Sequence, residues 1–170
     1  MKGSGHYTTG ATPTAGIPGL RRARAADLSA VMAFQYAAFA GNRAILGVEP
    51  LPLLADYQAI LRDMEIWLCE QANRLTGVLI LEPRSDDLMI WSIATAPSSR
   101  HQGLGADLLA AAETRARQLG QRALTLYTGE KLTHLIAWYR RHGFAVAGIE
   151  ASPDRRLVHM SKTMLSKSAA

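Results

Sequence analysis

The 170-residue sequence predicts an α+β fold, a mixed α/β sheet with helices against it, and three observations carry that expectation. Segments of strand and helix character alternate along the chain. Three strand-like runs, Glu65–Gln71, Arg74–Glu82 and Asp86–Thr95, follow one another too closely for crossover helices, so they should pair as an antiparallel meander. The remainder reads as strand, helix, strand, helix and two closing strands, which excludes a regular doubly wound sheet.

Each element has a local reason. Leu20–Arg24 is a short strand, and Asp27 stands in the first turn of a helix whose apolar residues are Leu28, Val31, Met32 and Phe39. Gly41 and Gly47 break the chain around residues 43–46. A second helix is expected over about 51–62, with Leu54, Tyr57 and Leu61 on one face and Pro52 in its first turn. Ala72-Asn73 joins the first two runs of the meander. Gly77 marks a bulge or a close backbone approach, and Pro83-Arg84-Ser85-Asp86 is the next turn. From Gly103 to Leu119 runs the longest helix. Its Leu104, Leu108, Leu109, Ala112, Ala116 and Leu119 make one continuous apolar stripe, and Gly120 stops it. The strand Arg122–Tyr127, a helix at about 131–142 carrying Leu135, Trp138 and Tyr139, and the strands Phe144–Glu150 and Arg156–Met164 complete the order.

Composition narrows the class. Hydrophobic residues make up 48% of the chain, enough for a sizeable core, and the length suits one domain. Residues 1–18, rich in Gly, Thr and Pro, read as a flexible leader, leaving 19–166 as the single domain. The lone cysteine, Cys69, cannot form an internal disulfide and lies in an apolar run. It therefore reads as a packed thiol in a reducing, cytoplasmic protein. No apolar run is long enough to span a bilayer, and no His, Cys or carboxylate cluster has metal-ligand spacing. Lys and Arg exceed Asp and Glu by 19 to 14, a net charge of +5, which favours an anionic partner without naming it. The arginine clusters lack interleaved aromatics, so nucleic acid is not expected.

The most informative stretch is Pro97-Ser98-Ser99-Arg100-His101-Gln102-Gly103-Leu104-Gly105-Ala106, between a strong strand and the longest helix. Glycines there let the chain turn and bare the first N–H groups of the helix, a ready anion site. A Walker-type loop would end in Gly-Lys-Ser/Thr, but Ala106-Asp107 follows. A dinucleotide fingerprint would need glycine at Leu108. What fits is R/Q-x-x-G-x-G/A, with Arg100, Gly103 and Gly105 in register.

Arg100-His101-Gln102-Gly103-Leu104-Gly105 resembles the acetyl-CoA motif of the GNAT superfamily of N-acetyltransferases. Ala137-Trp138-Tyr139-Arg140-Arg141-His142-Gly143-Phe144 resembles that superfamily's Y-x-x-x-G-F/Y signature, and the resemblance runs from about Leu20 to Leu165. It implies a six- to seven-stranded mixed sheet flanked by about four helices, with strands four and five splayed into a cleft. Acetyl-CoA is the implied co-substrate. Ile93, Ala94 and Thr95 would meet pantetheine through their backbone. Arg100, His101, Gln102, Gly103, Leu104, Gly105 and Ala106 would cradle the pyrophosphate. Tyr139 is the implied general acid toward the departing thiolate, with packing beside Trp138 as its structural alternative. Trp91 and Tyr127 either wall the acceptor pocket or pack on the strand face. The first two helices, the 41–50 loop and the 152–155 turn should line the acceptor site.

Two departures stand out. Strand four reads Leu88-Met89-Ile90-Trp91-Ser92-Ile93, without the carboxylate that relatives often use as base. Leu132 stands where many relatives place a pantetheine-binding Asn. Glu49, Glu70, Glu82 and His134 are the substitutes to examine. The implied activity is acetyl transfer to a primary amine, on a small molecule or a protein, by direct attack in a ternary complex. A non-catalytic acyl-CoA sensor of the same fold is the alternative, and a homodimer is compatible with either.

Overall fold

The computed structural model describes residues 16–100 and 102–165. Seven strands form one sheet in the order β1-β2-β3-β4-β5-β7-β6. They are β1 (Arg21–Arg22), β2 (Glu65–Gln71), β3 (Arg74–Pro83), β4 (Asp87–Thr95), β5 (Ala123–Gly129), β6 (Ala145–Ala151) and β7 (Arg156–Thr163). β2, β3 and β4 form the expected antiparallel meander. The residues Ala72 and Asn73 take positive φ at the first hairpin, the geometry that matches the twist of its strands. β4 and β5 run parallel, which requires the crossover supplied by the long helix.

The helices are α1 (Leu28–Phe39), α2 (Asn42–Leu46), α3 (Leu51–Leu54), α4 (Tyr57–Asp63), α5 (Leu104–Gln118) and α6 (Thr133–Arg141). One core packs α5 and α6 against the sheet through Leu108, Leu109, Ala112 and Ala116 on α5 and Leu79, Leu81, Leu88 and Leu124 on the strands. The other packs α1 and α4 on the opposite face through Val31, Ile60, Ile66, Leu68, Val78 and Ile80. Gly77 is a close approach: an added Cβ would lie 3.0 Å from Leu108 Cδ1. The neighbouring register shift between Cys69 and Glu70 adds a bulge.

Several expectations are corrected. The helix expected over 51–62 is two helices, because Ala55 is extended and Asp56 starts α4 afresh. The Asp56 carboxylate accepts from the N–H groups of Gln58 and Ala59 at 3.0 and 3.2 Å, a cap stronger than continuing the helix through it. Leu54 is consequently exposed rather than on an apolar face. The chain break expected around 43–46 contains α2, so six helices stand where about four were expected. Leu119 lies at the end of α5 and is only partly covered. Ile17, assigned from sequence to the leader, is buried in the α5-side core, and Gln118 donates to the Gly16 carbonyl. The rest of that leader, residues 1–15, lies outside the described residues. Among the described residues, no helix is long and apolar enough to cross a membrane.

A buried ion pair ties α5 to β2. Arg115 Nε donates to Glu65 at 2.8 Å, with both side chains under a tenth exposed. Trp67 Nε1 donates to the same carboxylate at 3.1 Å, and the guanidinium groups of Arg22 and Arg115 both lie over its ring. Removing one partner of a buried pair costs more than the pair contributes, because the other charge stays desolvated. Glu65→Ala is expected to lower unfolding free energy by about 3 kcal/mol in urea titration, whereas Arg62→Ala, from an exposed pair on α4, should leave the urea midpoint essentially unchanged.

Candidate active site

The site begins with a fault in strand pairing. Along β3 and β4 the partners run Leu79↔Ile93 and Ile80↔Ser92, then jump to Leu81↔Ile90, so Trp91 is an extra residue on β4. Such a bulge reverses the alternation of side chains. Leu88 and Ile90 face the α5-side core, while Trp91, with Ala94 beyond it, packs against the α1-side core. Pairing of β4 with β5 ends at Ile90↔Leu126. Beyond that point the strands part. Trp91–Thr95 on one side and Tyr127–Gly129 on the other wall a cleft of about 950 Å³.

At one end of the cleft stands the start of α5. Gly103 there has φ of +80°, a left-handed conformation that side chains resist, and so directs the chain from the loop into the helix. Gly103, Leu104, Gly105 and Ala106 line the cleft, and among the described residues no side-chain cap is seen at this terminus. Such a helix start offers its first-turn N–H groups to an anion. Arg100 lines the same end and donates to the Ala38 carbonyl at 3.4 Å. Gln102 sits apart from the lining, with its side chain donating to the Ser98 carbonyl at 3.4 Å. His101 lies outside the described residues. Ile93, Ala94 and Thr95 all line the cleft, each paired with β3 along its other edge.

Tyr139, on α6, lines the middle of the cleft and is 9% exposed. Its ring is held edge-on by Trp138 at 5.0 Å and Phe144 at 5.6 Å. Burial pushes its phenol up to about 12, because the charged form is the one that desolvation disfavours. Across the physiological range the group is a neutral hydrogen-bond donor. Packing beside Trp138 and presentation to the cleft, offered by the sequence as alternatives, occur together.

Trp91 and Tyr127 both line the cleft and both pack. Trp91 meets Tyr57 edge-on at 6.1 Å, and Tyr127 lies 5.7 Å from His159. Burial also raises the Tyr127 phenol. The substitutes for a base are mostly elsewhere. Glu49, Glu70 and Glu82 are outside the cleft, paired with Arg43, Arg21 and Arg84. Arg43 and Arg21 hold the first two carboxylates below their ordinary range, which weakens them further as bases. Only His134 of the four lines the cleft. Leu132 is buried at the start of α6 and supplies no side-chain hydrogen bond.

The far end is built from the segments expected to form the acceptor site. Asn42, Leu46, Val48 and Pro50 come from one side, and the Ser152–Arg155 turn from the other. Sequence reading singled out neither of this end's acids. Glu130 accepts from Arg156 at 2.7 Å, and Asp154 pairs with Arg155, which holds its carboxyl below the ordinary range. Lys131 and Arg141 also line the cleft, whose cations outnumber its carboxylates. Side chains in turns carry no periodic signal, so the two acids, Glu130 and Asp154, had none to find.

The Tyr139 shift has a signed consequence. The unfolded phenol ionises near 10 and the folded one near 12, so the stability tied to the neutral form is intact below pH 10 and declines as pH rises toward 12. Wild type should lose about 3 kcal/mol relative to Tyr139→Phe across that window, measured as paired denaturant titrations at pH 9 and above.

The acetyltransferase (GNAT) family profile matches residues 33–144. The amino-acid acetyltransferase of Pseudomonas putida strain GB-1 is 41% identical over 64 residues, 38% of this chain and 14% of that protein. That of Mannheimia succiniciproducens is 30% identical over 114 residues, 67% of this chain and 24% of that protein. The chain thus spans under a quarter of the length of these curated relatives. Among solved structures, the ribosomal-protein-S18-alanine N-acetyltransferase from Escherichia coli has a TM-score of 0.72 and 18% identity, covering 88% of this chain and 96% of that one. PaiA N-acetyltransferase from Thermoplasma acidophilum, in complex with coenzyme A, has a TM-score of 0.66 and 16% identity, covering 85% and 97%. These two likenesses are of fold. With more than half of its length matched by the family profile, the chain belongs to the acetyltransferase (GNAT) family.

Proposed function

We propose that this chain transfers the acetyl group of acetyl-CoA to a primary amine by direct attack in a ternary complex. The observation that carries this reading is the single cleft that joins parted strands, the open start of α5 with Arg100, and buried Tyr139. An extended pantetheine arm would pair with the free edge of β4 as an added strand does. The pyrophosphate would sit on the N–H groups at Gly103–Ala106, where the helix dipole and Arg100 favour negative charge.

In the transfer, the amine nitrogen forms a bond to the thioester carbonyl carbon and the carbon–sulfur bond breaks. Sulfur leaves with the electron pair and takes up the proton that nitrogen sheds. Tyr139 suits a donor to the departing sulfur. Outright proton transfer from a phenol near 12 to a thiolate near 8.5 is uphill by about 5 kcal/mol, so a hydrogen bond is the assigned role. β4 offers no carboxylate to take the amine's proton, Glu130 and Asp154 are already paired with arginines, and of the other candidates only His134 lines the cleft. The acceptor therefore attacks as its free base, its ammonium proton having passed to water or His134, and the second proton, shed after attack, is the one that goes to sulfur.

For the acceptor, an amino acid is the first class to test. The names of the curated relatives motivate it, and Lys131, Arg155 and Arg156 at the far end would favour a carboxylate beside the amine. The lone cysteine supports a reducing compartment such as the cytoplasm.

A panel of amino acids and other amines, assayed for thiol release from acetyl-CoA, tests the reading. Saturable acetyl-CoA binding without release on any amine would instead favour a binding module. With a working acceptor, Tyr139→Phe should lower kcat by about tenfold or more while the acetyl-CoA Kd stays within about twofold; an unchanged kcat removes Tyr139 from the chemistry. Gly103→Glu should weaken acetyl-CoA binding by about a hundredfold in calorimetry, since it sets a carboxylate where phosphate would lie.

A further inference from the structure

Behind the bulge lies a polar group that packing alone does not explain. Gln35, on α1, is fully buried, and it is surrounded by the apolar residues of the α1-side core. Its Nε2 donates to Ser92 Oγ at 2.9 Å, while its Oε1 has no hydrogen-bond partner among the described residues. An unpaired buried acceptor costs at least as much as a typical protein hydrogen bond contributes, so this amide does not raise stability over an apolar side chain of the same length.

What the amide does is tie α1 to the wall of the cleft. Ser92 is the residue after the bulge and lines the cleft. Gln35 holds the Ser92 hydroxyl, so one buried side chain connects α1 to the bulged stretch of β4.

We propose that Gln35 is a positioning residue of the acceptor site, acting through Ser92. The proposal rests on the acyl-transfer reading above. Gln35 does not itself line the cleft. It orients Ser92, whose hydroxyl keeps a second lone pair and its own hydrogen for an incoming amine or the thioester oxygen.

The test is a double-mutant cycle on Gln35→Met and Ser92→Ala. Methionine keeps the length and volume of glutamine and removes the amide. Gln35→Met should fold with Tm unchanged or raised, bind acetyl-CoA as wild type does, and lose about tenfold in kcat/KM for the acceptor, chiefly through KM. The double variant should lose no more than the worse single variant, as expected for two residues acting through one bond. Acceptor kcat/KM within twofold of wild type, an equal loss of acetyl-CoA affinity, or multiplying losses in the double variant each overturn the proposal. Should Gln35→Met not fold, Ser92→Ala, a small deletion at the other end of the bond, carries the same kinetic test. If no amine supports turnover by wild type, the acyl-transfer reading fails and hydrogen–deuterium exchange decides Gln35. Faster exchange at residues 90–94 in Gln35→Met supports its positioning role, and unchanged exchange overturns it.

Discussion

The site depends on one constraint: β4 cannot stay paired with β5 along its whole length. The extra residue Trp91 shifts β4 against β3, and parallel pairing with β5 stops at Ile90↔Leu126. A continuous ladder would leave no cleft, because neighbouring strands lie only about 5 Å apart. With the ladder broken, backbone groups of Trp91–Thr95 lack strand partners on the β5 side. The opening lies beside the start of α5 and beside Tyr139 on α6. Most buried backbone polar groups in folded proteins find partners. An extended arm carrying amide groups would satisfy these as a strand would.

Burial and charge divide the cleft's chemistry between them. The aromatic packing that presents Tyr139 also desolvates it, and so keeps the phenol neutral and able to donate. The carboxylates near the cleft are each held by an arginine: Glu130 by Arg156, Asp154 by Arg155. The Arg155 pairing holds the Asp154 carboxyl below its ordinary range, which makes it a poor proton acceptor. The net charge of +5 thereby acquires a location, since Arg100, Arg141 and Lys131 face the cleft, with Arg155 and Arg156 near its acids. On the α5 face of the sheet the pair Arg115–Glu65 serves packing, tying to β2 the helix whose first turn faces the opening.

Much of this was legible in the sequence where the physics is local. The α5 stripe is periodic, so its buried face was readable, apart from Leu119 at the frayed end. Gly103 was recognisable because a strand-to-helix turn followed by a bare helix start needs such a residue. The split between α3 and α4 was missed because Asp56, as a cap, competed with an apolar period that ran straight through it. Ile17 was set aside with its Gly- and Pro-rich surroundings, yet a single apolar residue in such a stretch can still be drawn into a core. Gln35 carried no signal at all. An amide on a helix between apolar neighbours looks the same whether it faces solvent or a buried serine.

By itself, then, the sequence determined the order of the seven strands and the helix start with its glycine, because propensity, periodicity and capping act over a few neighbours, while Tyr139 was marked by its resemblance to a family signature. Only the tertiary structure decided that Trp91 is the extra residue of a bulge and that β4 and β5 part just after it. It alone brought Gln35 onto Ser92. Those outcomes depend on register and on contacts between segments up to 57 residues apart. No local pattern encodes such a contact until the sheet has formed.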